Sequence, residues 1–390
     1  MSSQVTTESS VIEHAVNEQP PTDRTVRSLG VHAPGEAYFF EYVEGPPPPG
    51  QARVDTLYTG LSTGTELTFF RGTNPYLSAR WDADYGLFRE GEPSERLPKP
   101  FLGYMEVGRV TESRTDALCT DDIIASTYGH KSGHTLNPEG DIYTKLSGLE
   151  PILGIYVGQM GPICANALLH AAHDRYGANI KSLGDGVAGA RVLVTGGGVV
   201  GLLTGLFARF YGAEVVLVSG SAPRLQAAAA LGLTPIDTNS RDAALFVKSH
   251  WHSSQGRGAD LAFQTSTDPA SLDTALRALK PRGTVIDLAF YQGGADALHL
   301  GKAFHHNSLS IRCAQIGRVP RGIEHWDRRR LSLATVEVLQ TYGDLVREHV
   351  ITDVVPFGDA PAFLTYLSEQ YRPEVIQAVF QVDRKANHAA

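Results

Sequence analysis

Residues 191–224 read RVLVTGGGVVGLLTGLFARFYGAEVVLVSGSAPR. Val192-Leu193-Val194 has the length and β-branching of a buried parallel strand. Gly196, Gly198 and Gly201 then fit G-x-G-x-x-G, Leu202 to Tyr211 has helical apolar spacing, and Glu214 to Val218 is a second strand. A glycine triplet alone says little; one that follows a strand, opens a helix and returns to a strand marks a dinucleotide-binding unit. Gly196 allows the tight turn, Gly198 lets backbone approach a pyrophosphate, and Gly201 lets helix and strand pack closely. The helix start, with Val199 and Val200, offers free N–H groups and partial positive charge to phosphates.

Outward from this unit, strands are expected at Asp260 to Gln264, Thr284 to Ala289 and Leu309 to Ala314, with a helix from Asp268 to Leu279. Strands alternating with helices give a doubly wound parallel sheet, so the fold class is α/β. Before it, Gly158 to His170 reads as a helix; after it come a helix from Leu331 to His349 and a strand from Val375 to Val382. The first 25 residues are polar and read as a disordered tail. Glu36 to Val43 and Gln51 to Tyr58 alternate as half-buried strands around the stiff PPPPG at 46–50. GLSTGTE at 60–66 reads as a glycine-punctuated loop. Thr73 to Pro100 is a long connection with Tyr76, Trp81, Tyr85 and Phe88, suited to a cleft wall or lid, or to a flap packed on itself. Asp122 to Tyr128 is a strand, and GHKSGH at 129–134 a turn with two histidines.

With 390 residues, about two domains are expected. A net charge of −8 disfavours nucleic acid and anionic membrane, and no apolar run approaches a membrane span. Cys119, Cys164 and Cys313 are too scattered for a disulfide framework or a cysteine-rich zinc site. The start lacks a basic stretch followed by an apolar one, so a cytoplasmic location is the default expectation.

The motif order resembles the medium-chain dehydrogenase/reductases, the alcohol, sorbitol and threonine dehydrogenase group. It is carried by GLSTGTE (60–66), LGYMEVGRV (102–110), VTGGGVVG (194–201), GADLAFQTS (258–266), RGTVIDLAFY (282–291) and LSIRCAQIG (309–317). The resemblance implies a Rossmann domain inserted into a β-rich, GroES-like catalytic domain: 26–157 completed by 320–390, with 158–319 between. It also implies an active site in the cleft, nicotinamide chemistry, and a homodimer or homotetramer joined through sheet edges such as LSIRCAQIG. GTE, FHHNSLSI (304–311) and the lost zinc ligands look most like the branch containing bacteriochlorophyllide-type dehydrogenases.

Zinc members of the family carry a cysteine where Thr63 stands, Gly-His-Glu where Gly103-Tyr104-Met105 stands, and a Cys or Glu near Gly161-Pro162. Threonine, tyrosine, methionine and glycine are poor Zn²⁺ ligands, so no zinc is expected. Carbonyl reduction without a metal needs another acid. By resemblance, Tyr104 points into the cleft and Thr65 occupies the proton-relay position; Glu66 and Glu106 are nearby carboxylates. Each has a bland alternative: core filler, turn hydroxyl or strand-cap partner. His130 and His134 form H-x-x-x-H without an evident third ligand; His130 is a proton-shuttle candidate or a surface histidine.

At the end of the second strand, where an acid would hold the adenosine ribose of NAD, stand Ser219, Gly220 and Ser221, with Arg224 beyond. Small hydroxyls plus a guanidinium suit a 2′-phosphate, favouring NADPH over NADH. Thr265, Ser266, Ala289, Phe290 and Tyr291 match family segments that line the nicotinamide. The expected activity is zinc-independent hydride transfer between NAD(P)(H) and an alcohol or ketone of a fairly large polar or cyclic small molecule. The alternatives are an enoyl or quinone reductase, and a cofactor-binding protein without turnover.

Overall fold

The computed structural model describes residues 22–254, 256–291 and 293–383. A six-stranded sheet, parallel throughout, runs Thr234–Asp237, Glu214–Ser219, Arg191–Thr195, Ala259–Gln264, Leu279–Asp287, Ser310–Cys313. Its order, 3-2-1-4-5-6 within the unit, is that of a doubly wound nucleotide fold. Strand side chains alternate between faces. Val192, Val194 and Leu217 join helices Met160–Tyr176 and Val199–Phe210 in one core. Leu193, Val216 and Val218 join helices Ala243–His250 and Pro269–Ala278 in the other. Asp242 and Asp268 start the latter two helices by accepting backbone N–H groups.

The second large sheet has seven strands, mostly antiparallel. Its centre pairs Ala52–Gly60 with Glu106–Ser113 on one side and with Gln377–Gln381, from the end of the chain, on the other. The chain thus leaves this sheet, builds the parallel sheet, and returns: the inserted arrangement implied by the family resemblance. No helix among the described residues is long and apolar enough to cross a membrane.

Four local expectations need correction. The tail reading over 1–25 lies outside the described residues up to residue 21, but Arg24 and Thr25 belong to the strand Arg24–Ala33, paired with Glu44 and Val43. Residues 60–66 are only partly loop: Thr63–Phe70 is a helix, because Leu67, Phe69 and Phe70 are buried with Leu364 and Phe380 from the chain's end. The 73–100 segment is not a bare connection, since Ala79–Asp82 pairs with Leu87–Glu90 as a hairpin on which Trp81 and Phe88 pack edge to face. The 129–134 turn ends in the strand Gly133–Leu136, and neither of its histidines is on the surface.

Candidate active site

The glycine turn lies at the carboxyl end of the strand Arg191–Thr195, where the helix Val199–Phe210 begins. Gly196 has φ +103°, and a Cβ there would meet Thr265 Oγ1 at 2.8 Å. On Gly201 a Cβ would fall 1.9 Å from Gly196 O, so helix and turn touch through bare backbone. Gly198 caps the helix with no side-chain hydrogen bond, and nothing lies within 4 Å of where its Cβ would be. The three glycines therefore turn, open and close-pack as their spacing predicts. Val199 and Val200 begin the helix beside that opening.

A cradle adjoins it. A Cβ on Gly197 would press on Ser219 and Arg224 at 3.0 Å, which places both residues against the glycine loop. Ser219 Oγ accepts from Ser221 N–H at 3.2 Å. Ser221 Oγ and Arg224 Nε are buried and without partners. Orphaned donors of this kind, next to an uncapped helix start, fit a phosphate.

Further along the strand ends, Thr265 Oγ1 donates to Thr195 O at 2.8 Å, and Ser266 Oγ accepts from Asp268 N–H at 3.2 Å. Tyr291 donates to Asp287 Oδ2 at 3.0 Å and accepts from Gln264 Nε2 at 3.1 Å. Asp287 Oδ1 accepts from Ala289 N–H at 2.9 Å. Burial raises the Asp287 carboxyl and the Tyr291 hydroxyl above their ordinary ranges. The hydroxyls of Thr265 and Tyr291 are thus spent on the protein, leaving ring and backbone to face a ligand. Phe290 is 44% exposed.

In the other sheet, a file of side chains from distant positions meets. Tyr104 donates to Ser62 Oγ at 2.5 Å. Ser62 N–H donates to Glu66 Oε1 at 2.9 Å. Glu66 Oε2 lies 2.6 Å from His130 Nε2, whose Nδ1 meets Thr59 Oγ1 at 2.7 Å. With Nε2 donating to the carboxylate, Nδ1 accepts from the threonine hydroxyl. Glu66 is 2% exposed and His130 0%. Burial, and next the Glu66 charge, raises the Tyr104 hydroxyl above the ordinary tyrosine range; hydrogen bonds with Ser62 and Thr65 pull it partly back. Ser62 and Thr59 were missed in the sequence because their only signal is the fold that aligns them.

Not every candidate joins this file. Thr65 does, through Tyr104. Glu106 points elsewhere: fully buried, it accepts from Ser126 Oγ at 2.6 Å, and desolvation pushes its carboxyl up to about 8. His134 stacks on Tyr128 at 3.7 Å with neither ring nitrogen partnered, and burial holds it well below the usual imidazole range. The two histidines of H-x-x-x-H therefore serve different neighbourhoods. At the positions of the family's metal ligands stand Thr63 at the helix start, Tyr104, and Gly161 within a helix. Met105 lies in the core. This donor set does not fit Zn²⁺, which takes thiolate, imidazole and carboxylate.

A family model described as zinc-binding dehydrogenase matches residues 199–328. D-guloside 3-dehydrogenase of Shigella flexneri is 26% identical over 88% of this chain and 97% of its own length. The protein of that name from Escherichia coli strain K12 is 25% identical over the same shares. Among solved structures, 2R,3R-butanediol dehydrogenase from Bacillus subtilis superposes with TM-score 0.68 at 16% identity, covering 92% of this chain and 100% of that one. A Sinorhizobium meliloti 1021 protein bound to NADP superposes with TM-score 0.67 at 16% identity, covering 92% and 99%. Likeness at such low identity speaks to the fold.

Proposed function

Because this chain belongs to the medium-chain dehydrogenase/reductase superfamily, we propose that it is a zinc-independent, NADP(H)-preferring dehydrogenase acting on a secondary hydroxyl of a cyclic polyol, first of all a glycoside. The oxidoreductase class comes with the family. The glycoside comes from the two D-guloside 3-dehydrogenases matched over nearly their full length.

One observation carries the zinc-free reading: a tyrosine hydroxyl, bonded to Ser62 and near Thr65, stands where a metal-ligating histidine would be needed. The matched zinc-binding family model starts at residue 199 and so does not reach Thr63 or Tyr104. Gly196, Gly198 and Gly201, with the first N–H groups of the 199–210 helix, would hold the cofactor's pyrophosphate. Ser219, Ser221 and Arg224 would hold a 2′-phosphate, which favours NADPH over NADH. Thr265, Ser266, Ala289, Phe290 and Tyr291 would line the nicotinamide, which when bound supplies or accepts the hydride.

Tyr104 supplies the proton. As the carbonyl oxygen of a ketone gains negative charge during reduction, it would take the Tyr104 proton, and the alcohol would leave. The raised Tyr104 keeps its proton at neutral pH and so serves as acid. Once Tyr104 has given up its proton, the Ser62 and Thr65 hydroxyls would donate hydrogen bonds to the phenolate, and a solvent water would restore the proton. Glu66 and His130 touch no open space; they fix Ser62 from below. The outer strand Ser310–Cys313 leaves a free sheet edge for a second copy, in keeping with a homodimer or homotetramer.

The test pairs purified protein and NADP⁺ with glycosides, cyclic polyols and short alcohols, and pairs NADPH with enones and quinones, following the near-ultraviolet absorbance of the reduced cofactor. Oxidation of glycosides well above short alcohols, unchanged by a chelator, is expected. Turnover confined to enones or quinones, or about one tightly held zinc per chain, would refute the proposal.

A further inference from the structure

A cleft of about 540 Å³ lies between residues 138–145 and the first turns of the helix Arg328–His349. None of its lining residues belongs to either half of the site above. Arg328 sits half-buried in its wall, and its Nε donates to Gly158 O at 3.2 Å. Among the described residues no carboxylate pairs with it, and burial pulls the guanidinium down to about 10. The wall does hold acids, but both are engaged. Asp327 accepts from Arg330 N–H at 2.8 Å, and Asp141 accepts from Asn137 N–H at 2.7 Å and from the Tyr128 hydroxyl at 3.1 Å. Lys145 is paired with Asp122 at 2.7 Å. Arg329 stays exposed on the rim.

The second observation is Ser332. It also lines the cleft, is 1% exposed, and its Oγ has no partner. One helical turn after Arg328, it shares that residue's face. A guanidinium without a counter-ion among the described residues and an orphaned hydroxyl one turn later, both lining one cleft, ask for one kind of ligand. We propose that this cleft is an oxyanion site of phosphate-monoester size, held by Arg328, Arg329 and Ser332. It would take a small phosphorylated molecule as a second ligand, separate from the dinucleotide.

Inorganic phosphate is the probe, titrated calorimetrically into full-length protein at constant ionic strength against chloride. The glycine crevice also attracts phosphate, so the titration is run on NADPH-saturated protein and on Arg224→Gln. Millimolar binding should persist in both. Arg328→Gln should weaken it at least about tenfold, and Ser332→Ala about threefold, as loss of one neutral hydrogen bond would. No uptake beyond chloride in either sample, or equal uptake by Arg328→Gln, would overturn the site. Each variant must melt cooperatively; should Arg328→Gln not, Arg329→Gln and Ser332→Ala decide by the same readout. The Arg224→Gln arm needs no cofactor, so failure of the dehydrogenase reading would leave this result intact.

Discussion

The two halves of the site are made of different material. The crevice beside the 191–195 strand is backbone: three glycines shape it, and side chains enter only at the Ser221 and Arg224 edge. The Tyr104 half is mostly side chain, a hydrogen-bonded file from Thr59 through His130 and Glu66 to the Ser62 N–H, and from the Ser62 hydroxyl to the phenol. A backbone site is defined by what is absent, so a single Cβ can close it. A side-chain site is defined by partners, so it weakens one group at a time. The sharpest way to break this contrast is a pair of alanines. In Gly201→Ala the new Cβ would sit 1.9 Å from Gly196 O, so backbone must move. Loss of NADPH binding is expected, with destabilisation of about 3 kcal/mol from overpacking. Gly198→Ala meets nothing within 4 Å and should melt like the parent while still weakening the cofactor. Fluorescence titration and thermal melts measure both; a Gly201→Ala protein that binds NADPH normally would end the distinction.

The same contrast explains what could be read in the chain. The glycine unit announces itself because its parts lie within 34 residues and each has a steric reason. The parallel strands follow from apolar runs for the same local reason. The Tyr104 file does not, because Glu66 and His130 are 64 residues apart, and only the tertiary fold, which sets the helix Thr63–Phe70 against the 129–134 turn, brings them to 2.6 Å. The helix Thr63–Phe70 was hidden too. Its apolar residues pack on Leu364 and Phe380, some 300 residues later, where no local pattern reaches. Glu106 was legible as a buried strand-cap partner as well as a carboxylate, and it is fully buried against Ser126; His134 was legible as a titratable group but not as a buried one.

The next prediction sharpens the side-chain half. Tyr104→Phe removes the proposed acid yet keeps the ring, so kcat for ketone reduction should fall about 10²–10⁴-fold with little change in cofactor affinity. The pH profile carries the sign. Because burial and Glu66 raise the Tyr104 hydroxyl, reduction should stay level through neutral pH and decline only above the ordinary tyrosine range. Alcohol oxidation should climb toward that same range, where the phenolate can take the proton. Stopped-flow rates across pH measure both limbs, and a phenylalanine variant with full turnover would remove Tyr104 from the chemistry.

The smallest effect on turnover should come from Glu106, which shares the sheet but not the file. Its folded carboxyl sits at about 8 because burial disfavours the charge, against about 4.3 in an unfolded chain. A raised acid favours the folded state fully below the unfolded value, and that contribution drains away as pH climbs toward the folded one. Glu106→Gln cannot ionise, so its advantage over the parent should be near zero at the acid end. It should then grow to about a few kcal/mol by mildly alkaline pH, provided the amide keeps the Ser126 contact. Turnover should be unchanged where both proteins are folded. Denaturant melts at stepped pH measure the stability, and steady-state rates the turnover. A flat stability difference would mean Glu106 is charged in the fold, and a fall in rate would mean the file extends to Glu106 after all.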